Sequence, residues 1–102
     1  MMMVTTVESR LMLTRDTRLQ IPEQVVTRQV GDETVLLNLE SGTYFGLDPV
    51  GSRFLELLEV EGTLAAVLAK MLEEFDVTEA QLEADLLRLA DEMLASGLLV
   101  TA

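Results

Sequence analysis

The apolar positions of this chain change period once, near residue 48. Upstream, Val25-Val26-Thr27-Arg28-Gln29-Val30 and Glu33-Thr34-Val35-Leu36-Leu37-Asn38-Leu39 are short runs rich in β-branched and aliphatic residues, separated by Gly31-Asp32. Two such runs joined by a two-residue, Gly-containing link predict a β-hairpin. Glu40-Ser41-Gly42 supplies a second turn, and Thr43-Tyr44-Phe45-Gly46-Leu47 a short third strand. The expected sheet is an antiparallel meander. No further strand follows the third, so its outer edge is expected to be open.

Downstream the spacing becomes helical. Asp48 is a good N-cap and Pro49 is favoured at the first helical position. That helix runs through Val50, Phe54, Leu55, Leu57 and Leu58 and ends near Glu61-Gly62. Thr63 caps a second helix carrying Leu64, Val67, Leu68, Met71, Leu72 and Phe75. Thr78 starts a third, where Gln81 is expected to complete a capping box. Gly97 ends it as a C-cap, and Leu98-Leu99-Val100 is expected to return to the core. Strands followed by helices make an α+β domain. Before Pro22 no clean period exists, so residues 1–21 are read as an N-terminal arm, partly ordered or flexible, and residues 22–102 as the domain.

Size bounds what the domain can do. With 102 residues, surface scaling buries about two-thirds of the chain's area, enough for one modest core but not for a deep enclosed active site as well. Aromatics make up only 4 %, so aliphatic side chains must fill the interior. The chain has no Cys and no His, which excludes disulfides, thiolate nucleophiles, the usual zinc sites and every histidine-based triad. No run approaches the ~18 apolar residues of a membrane span, and Met1-Met2-Met3-Val4-Thr5-Thr6 lacks the layout of a signal peptide. A cytoplasmic location is expected.

Charge is unevenly spread. The net charge is −11, of which residues 1–53 carry −2 and residues 54–102 carry −9. Most of that helical acidity reads as a solvated face. Glu73-Glu74-Asp76 and Asp91-Glu92 are sequence neighbours on exposed helix, not the pocketed carboxyl pair that acid–base catalysis requires. There is no calcium-loop pattern, and Gly46 and Gly51 lack the spacing of a nucleotide-binding fingerprint. Neither catalysis nor a cofactor is expected.

The third helix is more informative. Leu82, Leu86, Leu89, Ala90 and Met93 form one stripe, which Leu87 and Leu94 widen towards half the circumference. A core-facing stripe is usually nearer ~100° wide, so either the helix is central or part of its apolar face is left for a partner. An open third strand beside it would offer that partner free N–H and C=O groups together with apolar pockets. Successive strand residues alternate faces, so one of Tyr44 and Phe45 must point away from the core unless a helix covers it.

The stretch from Val35 to Gly51 resembles the PqqD family, in which an apolar strand leads to a Leu-Asn-x-Glu-x-Gly turn, an aromatic pair and a Leu-Asn-x-x-Gly helix start. Here these are Leu37-Asn38-Leu39-Glu40-Ser41-Gly42, Tyr44-Phe45 and Leu47-Asp48-Pro49-Val50-Gly51, with Asp48 in place of the commoner Asn. Phe75-Asp76-Val77, Leu82, Asp85, Leu86, Leu89 and Gly97-Leu98-Leu99 resemble the family's last two helices, so the likeness spans roughly residues 22–101.

The resemblance implies a fold similar to a winged helix-turn-helix, with a three-stranded antiparallel sheet followed by three helices, and a non-catalytic precursor-peptide recognition element. Such a module binds the leader segment of a ribosomally made precursor peptide as an added strand on its third strand, against its third helix. It then presents the leader to a modifying or proteolytic enzyme of the same pathway. Two branches compete: delivery of a lasso-peptide leader to a separate protease, and delivery of the pyrroloquinoline quinone precursor to a radical-SAM enzyme. The run Glu33 to Ser41 followed by Tyr44-Phe45-Gly46-Leu47-Asp48 looks more like the lasso branch, whose leaders often carry a Tyr and a Pro needing an apolar pocket. By resemblance, Thr43, Tyr44, Phe45 and Gly46 would take the added strand, and Gly46 would permit its close approach. Leu82, Leu86 and Leu89 would wall the pocket, and Asp85 would meet a basic leader residue. The rival from another class is a winged-helix DNA binder, opposed by the charge of −11 and by Arg88 being the third helix's sole cation. Neither nucleic acid nor membrane is an expected partner.

Overall fold

A hairpin and a short return strand build the sheet from which the site later emerges. In the computed structural model, which describes residues 13–102, strand β1 is Leu19–Gln20, β2 Val25–Val30, β3 Glu33–Asn38 and β4 Tyr44–Leu47. Helices α1 (Pro49–Glu61), α2 (Leu64–Glu74) and α3 (Glu79–Ala95) follow, and β5 is Val100–Thr101. The main sheet has the order β2-β3-β4, all antiparallel, with Thr27 opposite Leu36 and Leu36 opposite Phe45. Its alternation sorts the side chains. Val25, Leu36, Asn38 and Leu47 are buried against the helices, whereas Val26, Val30 and Tyr44 are exposed on the other face. The expected meander and three helices are therefore present.

The helix starts follow local chemistry. The Asp48 carboxylate accepts from the Gly51 N–H at 2.8 Å, Thr63 accepts from Ala66 N–H at 3.3 Å, and Thr78 from Gln81 N–H at 3.2 Å. The capping box at Thr78 needs correction. Rather than turning back to the helix start, the Gln81 amide donates to Asp85 one turn on, at 3.3 Å, a favourable i,i+4 pair with a charged acceptor. At the end of α3 the cap residue is Ser96, one before the expected Gly97. Gly97 follows at φ +72°, its N–H bonding Leu94 and the Leu98 N–H bonding Met93. This is the Schellman pattern, in which a left-handed glycine satisfies the last carbonyls.

One core gathers all three helices and the inner sheet face. Phe54, Leu36, Leu58, Met71, Met93, Leu98, Leu99 and Val67 are its largest fully buried side chains. Leu98 and Leu99 return to the core as expected, but Val100 is 36 % exposed, because it is already part of β5. Leu87 and Leu94, which broaden the stripe on α3, are half-buried and pack on the core's margin.

The segment before Pro22 is laid against the domain from residue 13 onward, residues 1–12 lying outside the described part. Leu19 and Gln20 pair antiparallel with Thr101 and Val100, and Leu19 is buried. The Leu19 N–H donates to Gly62 C=O at 3.0 Å and the Ala65 N–H to Arg15 C=O at 2.7 Å. Arg15 bonds Glu83 at 2.8 Å and Glu79 at 3.3 Å, tying this segment to α3. Among the described residues no helix is long and apolar enough to cross a membrane.

Candidate functional site

The register of β3 and β4 decides which backbone groups are left over. The Asn38 N–H donates to Thr43 C=O at 2.8 Å, and Leu36 and Thr34 stand opposite Phe45 and Leu47. In an antiparallel ladder hydrogen-bonded pairs alternate with non-bonded ones. Phe45 and Leu47 therefore bond inward to β3, while Tyr44 and Gly46 turn their N–H and C=O outward. Among the described residues no strand pairs with that side of β4. The open edge thus offers the backbone groups of two residues, with Phe45 and Leu47 directed to the helical side and Tyr44 to the outer face.

Beside this edge lies a cleft of about 400 Å³. Its strand side is Phe45, Gly46 and Leu47, and its helix side is Leu82, Asp85, Leu86, Arg88, Leu89 and Glu92 of α3. Asp48, Val50 and Gly51, at the start of α1, border it as well. Leu82 and Leu86 are only 5 % and 4 % exposed, so they are core residues whose edges reach the cleft. Leu89 is half-buried and more available. Of the sequence-derived candidates, Phe45, Gly46, Leu82, Asp85, Leu86 and Leu89 converge on this cleft. Thr43 and Tyr44 do not line it. The Thr43 carbonyl is engaged by Asn38, its hydroxyl accepts from Ser41 at 2.8 Å, and Tyr44 is 70 % exposed. Arg88 and Glu92 were missed, although both follow from continuing the Asp85 face at helical spacing.

Asn38 holds the cleft's two walls in relation to each other. Its amide nitrogen donates to Gly97 C=O at 3.1 Å, and its oxygen accepts from the N–H groups of Glu40 at 2.9 Å and Ser41 at 3.2 Å. One buried side chain thereby shapes the turn into β4 and fastens it to the end of α3. The Leu-Asn-x-Glu-x-Gly turn has its physical reason in these three bonds.

The electrostatics of the cleft are mildly acidic. Asp85 pairs with Arg88 at 2.9 Å, both partly exposed, and Glu92 adds a further carboxylate. On another part of α3, hydrogen bonding to Arg15 holds the Glu83 carboxyl below its ordinary range. Arg53 does the same for Glu74, linking α1 to α2. Among the described residues no cluster of three or more Asp or Glu is arranged to hold a metal ion. A second cleft of about 370 Å³ lies between Leu19–Ile21 and the end of α1, away from the open edge of β4.

Comparison with known proteins bears on this geometry. Among solved structures, TbiB1 in complex with the TbiA(beta) leader peptide matches with a TM-score of 0.75 and 38 % identity, over 78 % of this chain and 93 % of that one. No curated protein matches. The family model described as coenzyme PQQ synthesis protein D matches residues 33–99. With that match covering most of the domain, and with the Asn38 turn, the open β4 edge and the α3 cleft in register with one another, the chain belongs to the PqqD family.

Proposed function

We propose that this protein captures the leader segment of a ribosomally made precursor peptide and delivers it to a processing enzyme, without catalysing a step itself. The observation that carries this reading is the outward-facing backbone of Tyr44 and Gly46 beside an apolar cleft on α3. A leader entering as a fourth strand satisfies those groups and, by alternation, turns every second side chain onto Leu82, Leu86 and Leu89. Backbone pairing supplies affinity and the cleft supplies selection. Asp85 and Glu92 favour a leader with a basic residue at the cleft's rim.

The likeness to TbiB1, whose structure contains the TbiA(beta) leader peptide, supports a lasso-peptide leader as the ligand and a leader protease as the receiving enzyme. The family description, coenzyme PQQ synthesis, favours the alternative, a quinone precursor presented to a radical-SAM enzyme. An amide-resolved NMR titration with one leader of each type separates the two. The expected result is shifts at residues 43–47 and 82–92 with the lasso-type leader only. Shifts with the quinone-type leader alone would transfer the protein to the other branch, and no shift with either would remove the leader-binding role.

A further inference from the structure

Gly46 is the glycine that the folded chain itself does not explain. The four glycines at positive φ are required by their backbone, and Gly51 is crowded by Leu47 and Asp48 at 3.2–3.3 Å. Gly46 has no positive φ, and a Cβ built on it would meet nothing within 4 Å. A residue with a side chain would fit there and would suit a strand better, since glycine weakens strand interiors. The position is nonetheless on the free edge, with its N–H and C=O directed outward. On the outer sheet face it stands beside Val35, its partner on β3, and two residues from Tyr44, which is 70 % exposed.

We propose that Gly46 is a specificity notch: the leader strand added to β4 places a large apolar or aromatic side chain opposite Gly46, and that side chain lies across the glycine onto Val35 and Tyr44. Glycine on one strand is commonly covered by an aromatic cross-strand neighbour in this way. The inference rests on the leader-binding reading and adds a contact on the face away from the α3 cleft. Leader selection then has two components, apolar side chains entering the cleft and one bulky side chain covering the notch. A Cβ-branched residue at 46 would fill the notch before the leader arrived.

The test sets stability against affinity. Gly46→Ala and Gly46→Val are compared with the parent by thermal unfolding and by fluorescence anisotropy with labelled TbiA(beta) leader peptide. Both variants are expected to melt at or above the parent's temperature. Affinity is expected to fall at least about tenfold for Gly46→Val, with Gly46→Ala in between. An alanine scan of the leader then identifies one bulky residue whose truncation weakens binding to the parent but not to Gly46→Val, the signature of a direct pair in a double-mutant cycle. Parent-like affinity within twofold in both variants overturns the notch and leaves leader binding intact. Failure of the parent to bind the peptide overturns the leader-binding reading and the notch with it. Should Gly46→Val not fold, the Gly46→Ala series and the leader scan carry the same decision.

Discussion

The two outer strands of the main sheet, β2 and β4, are each hydrogen-bonded on one side to β3, yet they present very different edges. β2 is longer, carries Arg28 in its middle, and overlies a mostly polar cleft of about 260 Å³ lined by Thr27, Gln29, Thr34, Ser52, Leu55, Glu56 and Glu59. β4 has no charged residue and faces Leu82, Leu86 and Leu89. The backbone groups on offer are chemically the same. A charged residue on an edge strand discourages pairing, and a floor that is polar apart from Leu55, itself only 3 % exposed, gives an incoming strand's side chains little to bury against. An edge becomes a binding site when the element beneath it can bury alternate side chains of the visitor.

The largest effect expected from testing that contrast comes from the floor of the β4 cleft. Leu86 is 4 % exposed, so Leu86→Asp places an unpaired carboxylate in the core and should lower stability by about 4 kcal/mol in urea unfolding. Near-normal stability would show that the floor is separable from the core. Asn38→Ala comes next. It strips three hydrogen bonds from the hinge between β4 and α3, and a loss of about 2–3 kcal/mol is expected, with leader affinity falling as the edge loosens.

Leu89→Asp addresses the cleft without the core. Leu89 is half-buried, so circular dichroism should report a folded protein while the affinity for the TbiA(beta) leader drops about tenfold. An unchanged affinity would place the leader elsewhere. On the opposite strand, Arg28→Val removes the guarding charge from β2 and should alter stability by no more than about 0.5 kcal/mol. Sedimentation velocity is expected to show no new self-association through β2, because its floor stays mostly polar, with leader binding at β4 unaffected. Self-association would show that the charge alone guards this edge.

The smallest effect is electrostatic. Glu83 is held below its ordinary pKa by Arg15, so its contribution to stability is present above the unfolded-state value and is lost as pH falls through the lower folded value. Glu83→Gln should therefore be slightly less stable than the parent at neutral pH. The two unfolding curves should converge in acid, below the ordinary carboxylate range. A difference that persisted into strong acid would mean that Glu83 acts through packing rather than charge.

Residues 25–97 were largely legible in the sequence because the determinants there are short-range. Asp48, Thr63 and Thr78 each cap a helix from within three residues, and the switch from strand-like runs to helical spacing occurs at the junction where β4 meets α1. Of the cleft-lining residues of α3, Leu82, Leu86 and Leu89 were legible in its apolar stripe and Asp85 through the family resemblance, whereas Arg88 and Glu92, polar residues outside the stripe, were not. Leu19 was not. Its burial depends on pairing with Thr101, at the other end of the chain, and two-residue strands leave no period to read. Gln81 was misread because its competing partner, Asp85, has to be weighed against the helix start, and either is within reach of the same side chain.

From its residues alone this protein determined a three-stranded meander, three capped helices and an unusually wide apolar stripe on the third. Each of these depends on neighbours within a turn of helix or a hairpin. The expectation that no strand follows the meander did not hold, since β5 does, but it pairs with β1 and leaves the β4 edge open. Tertiary structure decided which half of that stripe became core, that Tyr44 and Gly46 rather than Thr43 and Phe45 turn their backbone outward, and that Gly46 stands in open space. Those outcomes are set by strand register and by helix placement against the sheet, where a shift of a single residue exchanges the two faces.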